Sequence, residues 1–202
     1  MARYSMKSWR AFRPRDEHDS ITLLAKDCRV LGIDPGSQRT GFGIIDCHAS
    51  GERHLVSGCI DVAGRDMVVR LQRIYAGISA LVTEHRPDMI AIERVFLHRN
   101  PDSALKLGQA RGVALCAAAT LGGSVHEYAP RAIKMAVTGY GAAAKPQVAQ
   151  MVCTLLQLQA PPPADAADAL AAALCHAQTR RLGALGASAD DARAQSGAVT
   201  LR

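Results

Sequence analysis

Apolar positions fall in short runs near the start of this chain and at helical spacing further along it. Val30-Leu31-Gly32-Ile33 is too short for a helix and is bounded by Pro35 and Gly36, so it predicts a strand that ends at Asp34. Phe42-Gly43-Ile44-Ile45 lies beyond that turn and gives a second strand, and His54 to Val62 a third. Asp66 to Glu84 has the helical period, with Val68, Leu71, Tyr75, Ile78 and Val82 on one face. Asp88 to Glu93 is a short buried strand that again ends in a carboxylate, and Val95 to Pro101 is a loop. Ser103 can cap a helix running to about Thr120, and Ser124 to Tyr128 is a fifth strand.

From there the pattern turns helical. Pro130 to Val137 predicts a short helix, Thr138-Gly139-Tyr140-Gly141 a break, and Pro146 the first position of a helix reaching about Leu158. Ala160-Pro161-Pro162-Pro163 stops that helix. Asp165 to Arg181 is the last one, with Arg180 and Arg181 suited to its C-terminal end. Short hairpin connections make the first three strands antiparallel, and the helical crossovers make the later ones parallel. The expected fold is α/β: one mixed five-stranded sheet with helices on both faces.

An apolar fraction of 49% over 202 residues suits one compact domain, placed here at residues 29–181. Residues 1–28 read as a polar extension carrying Arg3, Lys7, Arg10, Arg13 and Arg15. That segment fits a basic arm on nucleic acid, a targeting peptide or an over-long start; Asp16, Glu17 and Asp19 argue against a targeting peptide. It is expected to be dispensable. Residues 182–202 are rich in Gly, Ala and Ser without aromatics and are expected to be disordered. The net charge of +6 and a pI near 9.2 favour a polyanionic partner, nucleic acid first, although a basic surface also serves solubility. Six cysteines at irregular spacing, without a C-x-x-C pair, argue against zinc and for a reducing, cytoplasmic home. No apolar run is long enough to cross a membrane.

Candidate chemistry lies in the acids. Asp34 and Glu93 end strands, and Asp165 and Asp168 stand at i, i+3 on one face of the last helix. Each alone has an ordinary explanation: aspartates in a first helical turn offset the helix dipole, and a strand end can lie at the surface. If the elements converge, the four carboxylates resist ionising together unless a cation sits among them. Oxygen-only ligands suit Mg²⁺ or Mn²⁺, and two such ions can serve both oxygens of a phosphodiester cleavage. Lys106, Arg111, Arg131, Lys134 and Lys145 lie on or beside predicted helix ends and could hold phosphates, or could simply face water. Phe96 follows Glu93 in the loop and could stack on a base or tuck into the core.

Five motifs in order then bring a resemblance into view. Gly32-Ile33-Asp34-Pro35-Gly36, Ala91-Ile92-Glu93 with Val95-Phe96, the run Asn100 to Gly112, Gly139-x-Gly141-Ala142 with Lys145-x-Gln147-Val148, and Asp165-Ala166-Ala167-Asp168-Ala169 closely resemble the bacterial RuvC family. These are Holliday junction resolvases with a ribonuclease-H-like fold, and the resemblance runs from about Arg29 to Gln178. It implies that Asp34, Glu93, Asp165 and Asp168 are catalytic metal ligands for Mg²⁺, with Mn²⁺ as a substitute and two ions per subunit. It implies that Phe96 stacks at the junction centre and that Lys134 and Lys145 lie near the scissile strand; Lys106 and Arg111, as basic residues on a predicted helix, are expected to contact DNA as well. It further implies a homodimer that nicks two symmetric strands of a four-way DNA junction in recombination and repair, beside the RuvA and RuvB branch-migration proteins. Pro146, next to Lys145, departs from the polar residue many relatives show. Two other readings stay open: an ATP-binding protein of the actin or sugar-kinase type, suggested by the Gly-Ile-Asp-x-Gly hairpin, and a junction-binding protein without catalysis.

Overall fold

A computed structural model describes residues 27–94, 100–120 and 123–196, with side chains described as far as residue 184. The elements in order are β1 (Cys28–Asp34), β2 (Arg39–His48), β3 (Gly51–Asp61), α1 (Met67–His85), β4 (Met89–Glu93), α2 (Pro101–Ala119), β5 (Ser124–Tyr128), α3 (Pro130–Thr138), α4 (Lys145–Leu155) and α5 (Ala164–Ser196). They form a five-stranded sheet in the order β3-β2-β1-β4-β5. β1, β2 and β3 pair antiparallel, while β4 pairs parallel with both β1 and β5. This is the mixed sheet that the connection lengths predict.

Strand parity divides the core in two. Leu31 and Ile33 of β1 and Ile90 and Ile92 of β4 pack with Ile74, Ile78 and Val82 of α1 and Ala110, Ala114 and Ala117 of α2. Val30 of β1 and Met89 and Ala91 of β4 pack on the opposite side with Ile133 and Val137 of α3, Val148 and Val152 of α4, and Leu170 to Cys175 of α5. Central strands covered on both faces read as continuous apolar runs.

Several local expectations shift. The buried stripe of α1 runs through Ile74, Ile78 and Val82, whereas Val68 and Tyr75 are 64% and 44% exposed. Ile74 and Tyr75 are 100° apart, and the aliphatic one faces the sheet. α2 is capped by Asn100, whose Oδ1 accepts from the Asp102 and Ser103 amides at 3.0 and 3.4 Å, so Ser103 lies inside the first turn. Pro101, without an amide proton, suits the position just after that cap. Pro146 is the second residue of α4, not the first, and α4 ends at Leu155. α5 does not stop at Arg181. Helix continues to Ser196 through a run rich in alanine, the best helix former, where bias toward small residues had argued for disorder.

Candidate active site

The β1–β2 turn holds Asp34 in place. Thr40, fully buried, donates its hydroxyl to the Gly36 carbonyl at 3.1 Å, and the turn is so tight that a Cβ on Gly36 would stand 2.1 Å from the Arg39 carbonyl oxygen. Ile33 of β1 is level with Ile92 of β4. One step further along both parallel strands, Asp34 and Glu93 therefore stand side by side, and parity turns both toward α5.

Glycines bring α5 down onto them. A Cβ on Gly32 would lie 1.9 Å from the Ala169 carbonyl oxygen, one on Gly41 1.9 Å from that of Asp165, and one on Gly43 2.5 Å from the Leu170 side chain. Gly41 is the cross-strand partner of Asp34, and Gly32 that of Gly43. The first turn of α5 is thus laid directly over the end of β1 and β2, with Asp165 and Asp168 beside Asp34. The i, i+3 pair, the two strand ends and the helix meet at one end of the sheet, as the sequence predicts if the elements converge.

Electrostatics records the crowding. Burial, followed by the carboxylates of Asp168 and Glu93 and, more weakly, Asp165, pushes the Asp34 carboxyl up to about 7, against the pull of Lys145. Glu93 is also raised, first by burial and then by Asp168, with Lys145 and Lys134 opposing. The Lys145 ammonium donates to Asp168 Oδ2 at 2.5 Å, and that contact holds the lysine above its ordinary value. A cavity of about 180 Å³ opens here, lined by Glu93, Ile133, Lys134, Lys145, Val148 and Asp168.

Among the described residues, no group of three or more His, Cys, Asp or Glu side chains is set to hold a metal ion as it stands. The donor set nevertheless fits a hard divalent cation. All four donors are carboxylates, two of them are driven toward protonation by burial and by their neighbours, and Lys145 supplies the positive charge against Asp168.

Lys134 and Lys145 are therefore part of this site. Lys106 and Arg111 lie apart from it on α2: Lys106 pairs with Asp102 at 2.5 Å, and Arg111 pairs with Glu127 of β5 at 2.6 Å. Phe96 lies outside the described residues. Sequence reasoning missed Arg39. Its Nε stands 3.8 Å from Asp165 Oδ2, and its Nη2 pairs with Asp61 at 3.1 Å. The available signal was its place directly after the turn that follows Asp34.

Comparison with known proteins agrees with this geometry. The family model described as "Crossover junction endodeoxyribonuclease RuvC" matches residues 30–176. The chain belongs to the RuvC family. A RuvC of Aliivibrio fischeri (strain MJ11) is 53% identical over 165 residues, spanning 81% of this chain and 95% of the relative. The Thermus thermophilus RuvC structure superposes with a TM-score of 0.71 at 36% identity, covering 77% of this chain and 97% of that one. The same protein in complex with Holliday junction substrate gives 0.73 at 37%, covering 78% and 97%. The RuvC match takes in all four carboxylates and every element from β1 to the middle of α5. It makes the fold ribonuclease-H-like, makes the chain an endodeoxyribonuclease, and sets aside the ATP-binding and non-catalytic readings.

Proposed function

We propose that this chain resolves Holliday junctions by paired symmetric nicks, acting as a homodimer with Mg²⁺ held by Asp34, Glu93, Asp165 and Asp168. One observation carries the reading: four carboxylates from three separate elements meet at one end of the sheet, where burial first and then the other three carboxylates push the Asp34 carboxyl up to about 7. A fold that needed only stability would not keep that repulsion, and functional sites are where such strain collects. Two Mg²⁺ ions per subunit, or Mn²⁺ in their place, supply the Lewis-acid charge that phosphodiester hydrolysis needs. The chain's own residues do the rest. Asp34 and Glu93 are fixed by strand register, and Asp165 and Asp168 by the glycine seam, so the ligands are positioned before DNA arrives. Lys134 and Lys145 border the cavity beside Glu93 and Asp168 and face the place where a scissile phosphate enters. Lys106, exposed near the start of α2, and Arg111 extend the basic set.

Phe96, three residues after Glu93 in the sequence, is the residue proposed to stack on a base at the junction centre. The four-way substrate has two-fold symmetry, which a two-fold dimer matches. The Thermus relative's complex with a Holliday junction supports that substrate, and the family resemblance supports RuvA and RuvB as partners. Cysteines that are all unpaired support a cytoplasmic setting.

The test is cleavage of a synthetic four-way junction. Paired nicks are expected with Mg²⁺ and none after chelation. Asp34→Asn should lose cleavage by orders of magnitude yet still shift the junction on a gel. Cleavage by Asp34→Asn at the parent rate would overturn the assignment.

A further inference from the structure

At the opposite end of β1, Cys28 stands directly across the strand pair from Cys47. Both face the α5 side of the sheet, each only 9% exposed. The Arg180 guanidinium of α5 donates to the Cys28 sulfur. Beside the pair, a cleft of about 390 Å³ is lined by Asp27, Cys28, Arg29, Asp46, His48 and Asp88. Six residue steps along β1, about 20 Å, separate Cys28 from Asp34.

Two features of a reactive dithiol coincide here: a thiol beside a fixed cation and a second thiol within bonding reach. Directly opposed residues of an antiparallel pair have Cα atoms about 4.5–5.5 Å apart, and disulfides span about 4.4–6.8 Å, so a bond can form without moving either strand. The thiols are also unequal. The hydrogen bond from Cys47, with help from Arg180, outweighs burial and the Asp88 carboxylate and holds Cys28 down to about 7, while the same partnership and burial push Cys47 up. Cys116, by contrast, is an exposed free cysteine.

We propose that Cys28 and Cys47 are a hydroperoxide-oxidisable pair, with Cys28 the attacking thiolate beside Arg180 and Cys47 the resolving thiol. In the first step the Cys28 sulfur attacks the terminal peroxide oxygen. The S–O bond forms as the O–O bond breaks, and the departing alkoxide or hydroxide takes a proton from water, leaving Cys28 as a sulfenic acid. In the second, the Cys47 sulfur gives up its proton and attacks the Cys28 sulfur, and the S–O bond breaks with loss of water. Two thiols lose two electrons, the peroxide gains them, and the product is a β1–β2 disulfide that a dithiol reductant reverses.

The experiment treats the reduced full chain with near-stoichiometric hydrogen peroxide, blocks remaining thiols with N-ethylmaleimide and maps peptides by mass. A Cys28–Cys47 link is expected before Cys116 is oxidised. Cys47→Ser should accumulate a dimedone-trappable sulfenic acid at Cys28, and Arg180→Gln should slow alkylation of Cys28 several-fold while leaving Cys116 unchanged. Melting curves of both variants verify that they are folded. Oxidation of Cys116 at an equal or greater rate, or over-oxidation of Cys28 without a Cys47 link in the parent, would overturn the proposal.

Discussion

Asp34 is the residue on which the electrostatics of the site converge, and its pH behaviour has a definite sign. Its carboxyl titrates at about 7 in the fold, against an ordinary value of 3.8. The folded chain therefore holds a proton there that the unfolded chain has already released, and stability from this group is complete below pH 3.8 and lost as pH rises to about 7. Glu93 is shifted in the same direction and adds to the trend. Asp34→Asn keeps the shape and removes the charge. In chelated buffer its melting temperature should match the parent's near pH 4 and exceed it at pH 8. Mg²⁺ should then stabilise the parent more than the variant, because an ion that binds only the folded state shifts unfolding by mass action. Melting scans at both pH values, with and without Mg²⁺, check this; an Asn variant less stable than the parent at pH 8 without metal would contradict it.

At the scale of elements, the decisive contact is backbone against backbone, where α5 crosses β1 and β2 over Gly32, Gly41 and Gly43. Gly32→Ala must lift the helix, because the atom it meets is a main-chain carbonyl oxygen with no rotamer to escape into. Overpacking of this kind costs about 1–3 kcal/mol, and junction cleavage should fall further than stability does, since Asp165 and Asp168 move with the helix. Gly112→Ala in α2 meets nothing within 4 Å and should instead raise the melting temperature, by about 0.5–1 kcal/mol of stability. Paired melting and cleavage measurements on the two variants separate them. Much of this was legible beforehand. Strand-ending carboxylates and an i, i+3 aspartate pair are visible in one dimension, and the hairpins and crossovers give the mixed antiparallel and parallel sheet, though not its strand order. The glycine seam was not, because a glycine within a strand reads equally as a bulge or a weak point until the element above it is known. Arg39 was one cation among 24 lysines and arginines, and only cross-strand register distinguishes it. In α1, adjacent Ile74 and Tyr75 both fit an apolar stripe, and packing alone decides between them. In α5, low complexity suggested disorder where alanine propensity favours helix.

At the scale of the whole molecule, the described fold is closed from Asp27 onward: both faces of the central strands are covered by helices that follow in the chain, and the Asp27 carboxylate already meets His48 at 2.9 Å. Removing residues 1–26 should shift the melting temperature by no more than a degree or two and leave junction cleavage unchanged; a large loss of soluble protein in a thermal-shift assay would show that the segment belongs to the core. The contact between Lys145 and Asp168 has a consequence for how such a nuclease comes into being. Four carboxylates brought together before any ion is bound repel one another and work against folding. An ammonium carried on α4 arrives with the polypeptide itself, so part of the counter-charge the acids need is built into the scaffold rather than borrowed from solution.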